Sequence, residues 1–116
     1  MKSPFQSLKK NREFQTVYRS GSSRANRLFV MIAKKNNTTG NRVGISVSKK
    51  VGNSVVRHRI TRVLREIFRH HWDDIEGGYD IVVVARSAVK ESNYRSMESA
   101  VLHLLKLHHL SKKSSI

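Results

Sequence analysis

One seven-residue segment constrains the fold of this chain more than any other. Tyr79–Ala85 (YDIVVVA) is nearly all apolar and rich in β-branched residues. A strand that is hydrophobic at consecutive positions has to be covered on both faces, because neither row of side chains tolerates water. The rest of the chain must therefore supply packing elements on both sides of this strand.

Two further strands are predicted upstream of this segment. Leu28–Ala33 is rich in β-forming residues, and Arg42–Ser48 alternates apolar with small or polar side chains, a half-buried pattern. Between them lies Asn36–Asn41 (NNTTGN), a strong loop signal. We expect these two strands to form an antiparallel pair.

Three segments have apolar residues at helical spacing, and we predict helices at Arg12–Arg19, Val55–His71 and Asn93–Leu110. The expected caps and stop signals are Asn11, Gly21, and either Asn53 or Ser54. The predicted order is α-β-β-α-β-α with room for one short extra strand, which indicates a single α+β domain over residues 1–116 with a mixed sheet packed by helices. Residues 1–7 and 111–116 are polar, and we expect them to be flexible.

The charge of the chain restricts its function. There are 23 Lys and Arg against 8 Asp and Glu, a formal net charge of +15. Such an excess is best tolerated when the partner is a polyanion, with nucleic acid first and an anionic membrane second. No apolar run is long enough to span a bilayer. Cysteine is absent, which excludes disulfides and thiol nucleophiles and fits the cytoplasm.

The predicted helix Val55–His71 has two contrasting faces. On a helical wheel its apolar side chains (Val56, Ile60, Val63, Leu64 and Ile67) fall within about 80° of one another. The opposite side is almost entirely cationic and contains Arg62, Arg65 and Arg69. A merely solvated face usually mixes both signs of charge. Arginine also matches phosphate geometry and stacks on bases, so this face predicts contact with nucleic acid, and the apolar face is left for the core rather than for lipid.

The segment that contains this helix resembles the signature of the bacterial ribonuclease P protein family. Arg42–Glu66 (RVGISVSKKVGNSVVRHRITRVLRE) has the family's strand ending in Ser-Val-Ser-Lys-Lys, then Gly-Asn, then an arginine-rich helix. His58 stands where the motif has Asn, and Thr61 stands where a Lys usually follows. The resemblance extends over nearly the whole chain, through Lys10–Tyr18, Ala25–Val30 and Asp80–Arg86.

This resemblance implies a fold, a role and two binding surfaces. The fold would be α+β with a left-handed βαβ crossover. The chain would be the protein subunit of an endoribonuclease whose chemistry belongs to the RNA subunit with Mg²⁺, so no side chain would be catalytic. The implied contacts to the catalytic RNA are Lys49, Lys50, Arg57, Arg59, Arg62, Arg65 and Arg69. The implied cleft for the 5′ leader of precursor tRNA contains Phe14, Tyr18, Arg27, Phe29, Val30, Ile32 and His58.

Other functions remain open at this point. An independent nuclease would need clustered carboxylates or an acid–base pair, and the acidic residues are sparse. We expect no protein-bound metal, because neighbours such as His70 and His71 point in different directions on a helix. A ribosomal or other structural RNA-binding protein with no role in cleavage is the closest alternative. We expect neither DNA nor a membrane to be a partner.

Overall fold

A computed structural model describes residues 6–112 of the chain as one α+β fold. In chain order its main elements are α1 (Asn11–Ser20), β1 (Ser22–Ala25), β2 (Phe29–Lys35), β3 (Arg42–Ser46), α2 (Ser54–His71), β4 (Tyr79–Ala85) and α3 (Tyr94–Leu107). Short 3₁₀ turns follow α2 at Trp72–Asp74 and β4 at Ser87–Glu91. The predicted fold class is confirmed, and the extra strand is β1. None of the described helices is long and apolar enough to cross a membrane.

The four strands form one mixed sheet in the order β1-β2-β4-β3. The strand β4 is antiparallel to β2 and parallel to β3, to which it is joined through α2. The predicted antiparallel pairing of β2 with β3 is wrong, because β4 lies between these two strands. Its two-sided apolar pattern explains this position, since an interior strand is the one that both layers can cover.

The sheet carries a hydrophobic layer on each face. Phe29 and Met31 of β2 point into the main core, which α2 and α3 cover. Ile32, the alternate residue of β2, points to the other face and packs in a smaller cluster with Val17 of α1. Alternation along a strand places neighbouring side chains on opposite faces. The helix α1 lies on this less covered face, and a groove runs beside it.

Side chains define the starts of the helices. The prediction that Asn11 caps α1 is wrong, because the N-cap residue is Lys10. Glu13 Oε1 accepts the backbone N–H groups of Lys9 and Lys10 at 2.9 and 3.0 Å. Asn53 caps α2 by accepting the N–H of Val56 at 3.0 Å, as predicted. Such caps satisfy N–H groups that have no partner inside the helix.

The helix α3 ends at Leu107, three residues before the predicted end. His109 follows the helix with a left-handed backbone conformation, at a φ of 61°, which turns the chain and places Leu110 in the core. The segments predicted to be flexible are held at their inner ends, since Ser7 bridges to Val43 and Ser111 bridges to Ile75. The rest of that prediction, residues 1–5 and 113–116, lies outside the described residues.

Candidate nucleic-acid interface

The helix α2 exposes a row of cations, which we call the arginine ridge: Arg59, Arg62, Arg65 and Arg69. The opposite side of α2 buries Ile60, Leu64, Ile67 and Phe68, each without solvent exposure. The predicted division of the helix into a core face and a cationic face is therefore confirmed in the structure. Phe68 is a core residue that the sequence analysis did not include.

The members of the ridge differ in how they are held. Arg59 donates to the carbonyl oxygen of Lys90 at 3.1 Å, and Arg69 forms an ion pair with Glu66 at 2.7 Å. Arg62 and Arg65 have no hydrogen bond or ion pair with any other described residue. Guanidinium groups without an internal partner lose no protein contact when they bind phosphate. These two arginines are therefore the best-placed anion ligands of the ridge.

The cations around the start of α2 extend the ridge. Arg57 is half-buried and donates from Nε to the carbonyl oxygen of Gly52 at 3.2 Å, which fixes its side chain against the turn before the helix. Lys49 and Lys50 are exposed in that same turn. A helix N-terminus carries a partial positive charge, so these lysines add to a field that already favours anions.

A groove of about 420 Å³ lies between α1 and the end of β3. It is lined by Lys9, Asn11, Phe14, Tyr18, Ile45, Ser46 and Val47. The rings of Phe14 and Tyr18 are 6.4 Å apart and inclined by 52°, and Tyr18 is 40% exposed. Two partly open rings beside lysine and asparagine give a surface on which an unstacked base can lie.

Gly44 of β3 determines where the Phe14 ring sits. A Cβ built on Gly44 would lie 2.6 and 2.7 Å from two ring carbons of Phe14 and 3.2 Å from Cβ of Leu8. Real Cβ atoms do not approach other carbons so closely. The missing side chain therefore lets the ring rest directly on the strand backbone, which brings α1 close to the sheet.

An ion-pair network fastens the start of α1 to the sheet. Arg42 donates to Glu13 at 2.9 Å and to both carboxylate oxygens of Asp80 at 3.0 and 2.7 Å. Asn36 donates to the same Asp80 at 3.0 Å. Burial alone would raise the pKa of Asp80, but the hydrogen bonds from Arg42 and Asn36 outweigh it and lower that pKa. The network fixes one wall of the groove.

Stability in acid should depend on this network. The backbone N–H groups of Lys10 and Lys9, followed by Arg42, lower the pKa of Glu13 from 4.5 to about 2. Because the folded-state pKa lies below the unfolded one, the contribution of Glu13 is complete above about pH 4.5 and is lost as pH falls towards about 2. Glu13→Gln should flatten the pH dependence of the free energy of unfolding in this window, measured by urea unfolding. An unchanged pH dependence would contradict the role of Glu13.

Comparison with known proteins shows the family of this chain. The family model described as Ribonuclease P matches residues 3–109. The chain belongs to the ribonuclease P protein family. The "Ribonuclease P protein component" of Lachnoclostridium phytofermentans is 50% identical over 109 residues, which cover 94% of each chain.

Solved structures of ribonuclease P proteins have the same fold. The protein from Staphylococcus aureus superposes with a TM-score of 0.85 at 40% identity, covering 90% of this chain and 96% of the other. The protein from Thermotoga maritima gives a TM-score of 0.81 at 32% identity, covering 87% and 96%. The chain is thus a protein subunit of the ribonuclease P ribonucleoprotein, and its role lies in maturation of the 5′ end of tRNA.

The structure brings together only part of the cleft that the resemblance to ribonuclease P proteins implied. Phe14 and Tyr18 line the groove. Ser46 in the groove wall is in register with Val84, which pairs with Val30, and all three are partly exposed on the α1 face of the sheet. Val30 therefore lies on the same face of the sheet as the groove but does not line it, and Ile32 on that face is 7% exposed and packs in the cluster beneath α1.

The remaining predicted cleft residues lie elsewhere. The placement of Phe29 in the cleft is wrong, because its ring is fully buried in the main core on the opposite face of the sheet. Arg27, at the turn between β1 and β2, lines a different depression against the start of α3. His58 is exposed on α2 beside the arginines and does not line the groove.

The sequence analysis missed the other residues that line the groove, which are Lys9, Asn11, Ile45, Ser46 and Val47. The period-two pattern of Arg42–Ser48 contained the signal for Ser46, since it shares a strand face with Gly44.

Proposed function

We propose that the arginine ridge binds the catalytic RNA of ribonuclease P and that the groove beside α1 binds the 5′ leader of precursor tRNA. The observation that carries the proposal is the pair of partner-free, exposed arginines Arg62 and Arg65 on a helix whose other face packs into the main core. The two surfaces suit different ligands. A ridge of guanidinium groups matches phosphates, and a groove with two rings matches unstacked single-stranded bases.

In this proposal the RNA subunit and its Mg²⁺ ions perform the hydrolysis in the cytoplasm. The acidic side chains support this division of labour. Glu13 and Asp80 hold Arg42, and Glu66 holds Arg69. Within residues 6–112 the one cluster of three potential metal ligands contains a single carboxylate. A metal-dependent nuclease site would require several carboxylates around the scissile phosphate. The protein side chains therefore bind and orient RNA.

The leader assignment has a direct test in Tyr18→Ala. Stacking of a base on an aromatic ring contributes about 1–3 kcal/mol. The variant should therefore bind precursor tRNA with a long leader about 5- to 150-fold more weakly in the reconstituted complex. Affinity for tRNA without a leader should not change. Binding is measured with the catalytic RNA present and both substrates in parallel.

Tyr94→Ala is the matched control for this test. Tyr94 is 39% exposed, nearly the same as Tyr18, but it lies on α3 outside the groove. Its variant should bind both substrates as the unmodified protein does. An equal loss for the long-leader and leaderless substrates in Tyr18→Ala would remove the groove from the leader path.

A further inference from the structure

A second cluster of functional groups lies where the end of α2 meets α3, away from the groove. The side chains of His70, His71 and Glu98 place one ligand atom each within 4.8 Å of one another. The rings of His70 and His71 contact edge to face with centroids 4.8 Å apart, so the prediction that they diverge is wrong. His71 Nε2 is 2.7 Å from Glu98 Oε2, across 27 residues of sequence.

The surroundings of His71 resemble those of a metal ligand. Its Nε2 atom faces Glu98, and its Nδ1 atom lies 3.9 Å from Oδ2 of Asp74. Metal-binding histidines commonly direct their second ring nitrogen towards a carboxylate, which fixes the orientation of the ring. Asp74 can supply that contact while Nε2 remains directed at the centre of the cluster.

The charge at this position also favours a cation. The helix α2 ends at His71, and the C-terminal end of a helix carries a partial negative charge. Glu98 and Asp74 add two carboxylates within reach of the same imidazole. In a chain with a net charge of +15, this is a local concentration of negative charge.

We propose that His70, His71 and Glu98 bind Zn²⁺ and thereby join the end of α2 to α3. Two imidazole nitrogens and one carboxylate oxygen form a known zinc ligand set, with water in the fourth position. Magnesium prefers oxygen ligands only, so it should not replace zinc here.

The geometry requires a small adjustment. A tetrahedral ion with bonds of about 2.0–2.1 Å separates its ligand atoms by about 3.3 Å. The hydrogen bond between His71 and Glu98 would open slightly, and His70 would move inward. His70 is exposed, so its ring can shift towards the cluster without leaving a buried position. The bound ion would stabilise the folded protein by mass action, and this role does not depend on RNA binding.

The experiment is a zinc titration of the metal-free full-length protein without a histidine tag. Calorimetry should give one equivalent of bound Zn²⁺, and Tm should rise with zinc concentration. His70→Ala and Glu98→Gln should each weaken zinc binding by at least about tenfold and abolish most of the rise in Tm. Circular dichroism without zinc checks that each variant is folded, and the exposed position of His70 makes its variant the decisive one.

His103→Gln is the matched control, because His103 is an exposed histidine on α3 outside the cluster. It should bind zinc as the unmodified protein does. Zinc binding that persists in His70→Ala and Glu98→Gln would place the ion at other histidines and overturn the proposal. Absence of binding would overturn it as well, and an equal rise in Tm with Mg²⁺ would overturn the assignment to zinc.

Discussion

Replacing Arg62 and Arg65 together by alanine should weaken binding to the catalytic RNA by at least about 100-fold at low salt. Charge-assisted hydrogen bonds contribute about 1.5–3 kcal/mol each, and two would be lost. The slope of log affinity against log salt should become shallower by about 0.7–0.9 per phosphate contact removed. Filter binding over a series of salt concentrations measures both quantities. The free protein should keep its stability, since neither side chain has an internal partner among the described residues.

A variant of equal charge separates the position of the cations from their number. Arg95 and Lys106 are exposed cations on α3 and are not members of the ridge. The double variant Arg95→Ala/Lys106→Ala loses the same two charges and should keep most of the affinity and the salt slope. If both double variants lost the same affinity, the RNA would respond to net charge, and the ridge would not be a specific interface.

Gly44→Ala should destabilise the protein by about 1–3 kcal/mol and also disturb the groove, because overpacking forces neighbouring groups to shift. The new methyl group would overlap the ring of Phe14, which would have to leave the strand backbone. We therefore expect a lower free energy of unfolding in urea together with weaker binding of long-leader precursor tRNA. Binding of the catalytic RNA should be nearly unchanged, since the ridge is on another element.

Gly40→Ala controls for the general effect of replacing glycine. A Cβ at Gly40 meets no atom within 4 Å. Its variant should retain stability and leader affinity. If Gly44→Ala behaved in the same way, Phe14 would not be seated on Gly44 in solution, and the groove would have a different shape.

The parts of the fold that follow from local pattern could be predicted from sequence. The consecutive apolar residues of Tyr79–Ala85 require cover on both faces, and the structure places that strand inside the sheet between two layers. The two faces of α2 follow in the same way from the helical period, which separates Ile60 and Leu64 from Arg62 and Arg65. Both features depend on residues close in sequence.

The parts that depend on distant residues could not be predicted in this way. Strand order is one, because the local pattern of β3 does not indicate whether β2 or β4 lies beside it. The position of Phe29 is another. Alternation shows that Phe29 and Val30 face opposite sides of the sheet, but only the location of α1 shows which side is the groove. The contacts of Arg42 with Glu13 and of His71 with Glu98 likewise join separate elements.

The central claim is that this chain assists a catalytic RNA in removing the 5′ leader of precursor tRNA. The most direct test is cleavage at low Mg²⁺ with protein alone, catalytic RNA alone and both together, all from the same source. We expect efficient cleavage only with both, and a product with the mature 5′ end of tRNA. Cleavage by the protein alone would contradict the assignment of the chemistry to RNA. No effect of the protein on cleavage by the RNA would contradict its role as the subunit.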